Sequence, residues 1–129
     1  TDHKKNDPVD ELGIHLGLDF KGVAFGAITT LVPHEVTANI ESIEYIAGSV
    51  LVNTNQNPDI EILGWLGKEY FADLNFNDIK DGDEPVGPPV MGILNYPKSR
   101  IFFLGDMNGI EIQPQPFIDN LIDWMGQCF

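Results

Sequence analysis

Apolar positions are densest near the end of the chain. "VMGILNY" (Val90–Tyr96) and "RIFFLGD" (Arg100–Asp106) are nearly continuous apolar runs separated by "PKS". That spacer has the length of a hairpin connection, so the pair predicts two antiparallel strands. Strands lacking a polar alternation need cover on both faces. Beyond the polar loop "MNGIEIQPQP", Phe117, Leu121, Trp124 and Met125 recur at helical spacing, with Ile118 and Ile122 beside them. Asp119, Asn120, Asp123 and Gln127 fall on the other side, which predicts a closing amphipathic helix.

The upstream pattern is less regular. "DPVDELGIHLGLDF" predicts a short helix: Asp7 caps it, Pro8 takes the first helical position, Val9, Leu12 and Leu16 share a side, and Gly17 ends it. "KGVAFGAITTLV" reads as a strand, weakened by its glycines. "PHEVTANIESI" reads as a turn or a single helical turn. "SIEYIAGSVLVNT" predicts a strand with a turn or bulge near Ala47–Gly48. "NQNPD" is turn chemistry. "IEILGWLGKEYFA" fits strand or helix, with Ile60, Ile62 and the glycines favouring strand. "DLNFNDIKDGDEPVGPP" predicts a long surface loop.

Residues 1–7 form a polar lead-in, and residues 8–129 form a single domain. With the terminal helix on one face of the sheet and the Val9–Leu16 segment on the other, the expected fold is an α/β three-layer sandwich of the flavodoxin-like kind, ending in a β-hairpin and a closing helix. Such a fold needs more helices than this chain supplies. Residues 8–129 are therefore expected to be either a whole domain of this kind or the C-terminal half of a larger one.

The stretch "GILNYPKSRIFFLGDMNGI…DNLIDWM" resembles the end of class I glutamine amidotransferase-like domains, in their non-catalytic branch. There a hairpin ends in a "GKGRVVFLGD"-like strand, followed by a loop and a "DNxxLLxNxxxWL" helix. Arg100, Leu104, Gly105, Asp106, Asp119, Asn120, Leu121 and Trp124 match that pattern. "ELGIHLGLDF" is similar to the family's "LLxxFGIxF" segment, and "PHEVTANIESI" to its "HPVTxGVxxI" segment with His and Pro exchanged. The resemblance covers the later half of such a domain. It implies an α/β fold and a non-catalytic binding or scaffolding role in a larger protein.

Charge narrows the partners. Seven Lys and Arg against twenty Asp and Glu give a net charge of −13. Such a surface repels phosphate backbones, which argues against nucleic acid and leaves cationic partners and divalent ions. No apolar run approaches the roughly 20 residues of a membrane helix, so membrane insertion is not expected. The single cysteine, Cys128, forms no internal disulfide. Acidity and scarce cysteine favour an extracytoplasmic location.

Candidate chemistry is sparse. Glutamine hydrolysis requires a cysteine on a sharp strand-to-helix turn with a histidine and a carboxylate to activate it. The chain has no G-x-C-x-G or G-x-S-x-G, and Cys128 follows a helix. No catalytic residue is assigned. Asp106, at the end of an apolar strand, is the leading ligand-binding candidate, joined by Asn108 in the next loop and by His34. The competing reading makes Asp106 and His34 turn-capping residues. The acidic loop holding Asp73, Asp78, Asp81, Asp83 and Glu84 offers oxygens for calcium, without the EF-hand spacing. The metal candidates are Asp78, Asp81, Asp83 and Glu84. Trp65, Tyr70, Phe71 and Phe76 form either an apolar contact surface or core.

Three functional classes follow: a binding or scaffolding module, an accessory part of a hydrolase whose nucleophile lies elsewhere, and a calcium-stabilised extracellular module. The expected partner is the missing N-terminal fragment, another protein, or a second copy pairing through an exposed strand edge.

Overall fold

Residues 13, 15–52, 57–106 and 110–127 are described in the computed structural model of the chain. Five strands and one helix follow in order: β1 (Asp19–Leu31), β2 (Ile43–Val52), β3 (Ile60–Leu66), β4 (Pro89–Tyr96), β5 (Ser99–Leu104) and α1 (Gln115–Gly126). A one-turn 3-10 helix, Glu35–Thr37, lies between β1 and β2.

The strands make one sheet in the order β2-β1-β3-β4-β5, and every neighbouring pair is antiparallel. The sheet curls into a half-barrel carrying one helix. This corrects the expected three-layer, flavodoxin-like sandwich and the α/β amidotransferase-like architecture with it. Antiparallel neighbours need no helical crossover. The shortage of helices that the three-layer reading creates therefore does not arise in this sheet.

The expectation failed for a physical reason. Val90–Leu94 is a run of buried residues, as a strand covered on both faces should be. Both covers, however, come from within one curled sheet and its flanking segments. Ile101 and Phe103 of β5 face a cluster with Leu18, Phe20, Leu51 and Leu94. Phe102 and Leu104, alternating with them, face the larger cluster around Ile28, Tyr45, Leu63, Met91 and Ile93. α1 covers that second face with Phe117, Leu121 and Trp124. Leu16 and Leu18 help cover the first, where the Val9–Leu16 segment was expected; Val9 and Leu12 lie outside the described residues.

Several local expectations hold. Tyr96 pairs with Ser99, so Pro97 and Lys98 make the hairpin connection. β2 carries an extra residue between Tyr45 and Gly48 relative to its partners Gly26 and Ala24 on β1, which is the anticipated bulge. Gly17 has a positive φ of 82°, in keeping with a helix stop. In α1, Met125 and Ile122 point outward, at 45% and 62% exposure, and the buried stripe is narrower than the sequence suggests.

The curl brings distant strands together. Ser49 N–H of β2 donates to the Gly105 carbonyl at 3.1 Å, and Gly105 N–H donates to the Val90 carbonyl at 3.1 Å. The outer edge of β2 thus meets the end of β5. No helix among the described residues is long and apolar enough to cross a membrane.

Candidate functional site

The first candidate, Asp106, is 3% exposed. Its carboxylate accepts the backbone N–H of Ile46 at 2.9 Å and of Ala47 at 3.4 Å. Those donors sit at the β2 bulge, where the strand's own pairing is interrupted. Beside it, the buried Tyr45 hydroxyl donates to the Ser49 carbonyl at 2.7 Å. Burial and then the Asp106 carboxylate hold that hydroxyl well above the usual tyrosine range. Asp106 therefore fastens one end of the sheet to the other.

His34 caps the 3-10 turn. Its Nδ1 accepts the Val36 N–H at 3.1 Å, and the His34 backbone N–H donates to Thr37 Oγ1 at 3.0 Å. Its ring meets Trp124 edge-on at 5.8 Å. Asn120, expected to face away from the core, donates to the Ala38 carbonyl at 2.9 Å and ties α1 to the same turn. Arg100 donates to the Trp124 carbonyl and to Gln127 Oε1, and lies 5.1 Å from the Trp124 ring centroid. Most of the residues that carried the family resemblance are thus joints between helix, turn and sheet. Asn108 and Cys128 lie outside the described residues.

The acidic loop is organised around two buried carboxylates. Asp73, 3% exposed, accepts N–H groups from Phe76 at 2.6 Å, Asp78 at 2.9 Å and Asn77 at 3.2 Å. Burial pushes its carboxyl up, but these amides and that of Asn75 outweigh it and hold it below the usual carboxylate range. Glu84 accepts from Leu74 N–H at 2.7 Å and Asp81 N–H at 3.0 Å. Asp81 accepts the side-chain amides of Asn75 and Asn77. Asp78 and Asp83 stay exposed. The loop does not gather Asp78, Asp81, Asp83 and Glu84 into a ligand set, and no group of three His, Cys, Asp or Glu suited to a metal occurs among the described residues.

Folding of this loop onto β1 creates a cleft. Val23 and Asp73 exchange backbone hydrogen bonds at 2.9 and 2.8 Å, and Phe71 bridges to Val86. Two β1 glycines permit the approach. Gly22, at φ +58°, lies where a Cβ would meet the Asp73 carbonyl oxygen at 2.6 Å. Gly26, at φ +139°, lies against the Tyr70 ring, which a Cβ would meet at 2.5 Å. Between strand and loop opens a hollow of about 230 Å³ lined by Val23, Phe25, Glu69, Tyr70, Phe71, Asp73 and Asp78. Phe25 is 53% exposed, and Leu74, Phe76 and Ile79 of the same loop are also exposed.

Of the aromatics expected to form either a contact surface or core, Tyr70 and Phe71 line this hollow, Tyr70 also packing against the main core, and Phe76 is exposed in the same loop. Trp65 instead lines a separate groove with Thr30, Lys68 and Val86. Phe25 and Glu69 were not anticipated. The available signal was Gly22 and Gly26, since glycine within a strand marks a place where another backbone or ring comes close.

No protein-family model matches the chain, and no curated protein matches it.

Proposed function

We propose that this chain is a non-catalytic binding module, serving within a larger assembly, whose docking surface is the cleft between β1 and the Tyr70–Asp78 segment. The cleft itself carries the reading: an open, mostly apolar hollow lined by Phe25, Tyr70 and Phe71 and rimmed by carboxylates. Exposed apolar surface of this kind marks interaction sites. The alternative chemical candidates have structural occupations. The Asp106 oxygen faces backbone N–H groups of β2, and His34 Nδ1 faces the N–H of Val36. The likeness to the ends of amidotransferase-like domains is, in this reading, a likeness of a hairpin-and-helix closing unit.

The test is selection of short displayed peptides against the intact chain, with amide resonances followed by NMR. Selected peptides should shift the signals of Val23–Phe25 and Glu69–Asp73 and lose binding to Phe25→Ser. Enrichment of no peptide, or shifts confined to other surfaces, overturns the reading.

A further inference from the structure

Resting on that reading, we infer that the cleft takes a basic segment of a partner protein, with an apolar or cationic side chain inserted between Phe25 and Tyr70. The argument is charge complementarity. Glu69 and Asp78 line the cleft and are exposed. Among the described residues neither forms an ion pair; the pair present there is Lys21–Asp19, at 3.3 Å. Asp73 also lines the cleft, but its oxygens already accept backbone N–H groups, so the attraction to a cation rests on Glu69 and Asp78. Aromatic faces attract cations, most strongly where the surroundings supply no competing positive charge.

The same charges select against other occupants. A second copy would bring a further net charge of −13 to a surface already acidic. Nucleic acid and anionic lipid face the same repulsion. A Lys- or Arg-bearing segment gains attraction at long range and ring contact at short range.

Three peptides sharing one central Leu-Tyr anchor test this by isothermal titration: one flanked by Lys and Arg, one with Gln in their place, one with Glu. The basic peptide should bind roughly threefold to thirtyfold tighter than the Gln peptide, and the Glu peptide weaker still. Raising salt from 50 to 500 mM should erase most of that difference. The E69Q/D78N double variant should bring the basic peptide close to the Gln peptide, whereas Phe25→Ser should weaken both. Equal binding of the basic and Gln peptides to the wild-type chain overturns the charge inference and leaves an apolar docking cleft. Binding of none of the three overturns both.

Discussion

The Asp106 carboxylate accepts the Ile46 N–H at 2.9 Å across a sequence separation of 60 residues. It is part of a row. Gln113 pairs its side-chain amide with the Glu44 backbone, donating to the carbonyl at 2.8 Å and accepting the N–H at 3.2 Å, and the Gly105 carbonyl takes the Ser49 N–H. Together these cover the outer edge of β2 with groups from the end of the same chain. The β2 edge is therefore covered at Glu44, Ile46 and Ser49, and covered edges resist strand addition.

Asp106→Ala should therefore lower stability by about 1 kcal/mol, because it removes a buried carboxylate that accepts two part-buried N–H groups of the β2 bulge. Asp106→Asn keeps one acceptor oxygen and should lose less. Urea unfolding of both variants checks the order; an unchanged Ala variant would remove the clamp from the account.

Arg100 reaches the exposed carbonyl end of α1 through Trp124 and stacks on the same residue's ring. A cation there satisfies a terminal carbonyl and complements the helix dipole. Arg100→Ala should cost about 1.5–3 kcal/mol, the range for hydrogen bonds to charged groups. Arg100→Lys should recover only part, since an ammonium lacks the planar fork that bonds and stacks together. Thermal melts of the two variants against wild type decide it.

The hairpin and the closing helix were legible in the sequence because they are local: period, spacer length and proline placement suffice. The sheet's order was not. Apolar continuity in Val90–Leu94 reports cover on both faces without saying whether helices or curled strands provide it. The antiparallel pairing of β1 with β3, through Leu31 and Gly64, is a long-range fact with no local trace. At the candidate site, Tyr70 and Phe71 were visible as aromatics near an acidic loop. Phe25 was hidden by the reading of Gly22 and Gly26 as strand-weakening residues, when they are where the loop lies down.

Asp73 makes the loop sensitive to acid. A carboxyl whose folded value lies below its unfolded value, ~3.9, adds stability above that unfolded value and loses it as pH falls through the folded one. Asp73→Asn should be less stable than wild type at pH 7, and the gap should narrow as the pH falls below the unfolded carboxyl value and through the lower folded one. Melting temperatures across that range measure it. A gap independent of pH would mean that the carboxylate's charge is irrelevant.

Calcium should leave the melting temperature unchanged. Backbone N–H groups aim their positive ends at Asp73 and Glu84, which is anion geometry and disfavours a cation on the same oxygens. A ligand bound only by the folded state would raise stability by about 2.7 kcal/mol at a hundredfold excess over its Kd. Scans in millimolar calcium and in chelator should coincide, and a rise with calcium would restore the acidic loop as a metal site.

Gly26→Ala separates the cleft from the rest of the fold. The new methyl would meet the Tyr70 ring at 2.5 Å from a backbone φ of +139° that side chains disfavour, so the ring must lift away from β1. The expected cost is about 1–3 kcal/mol of stability, together with loss of basic-peptide binding. Gly82→Ala, with nothing within 4 Å of its added Cβ, is the control and should be close to neutral on both counts. If Gly26→Ala binds the basic peptide as well as wild type does, Tyr70 is not a wall of the docking site, and binding must rest on Phe25 and the carboxylates alone.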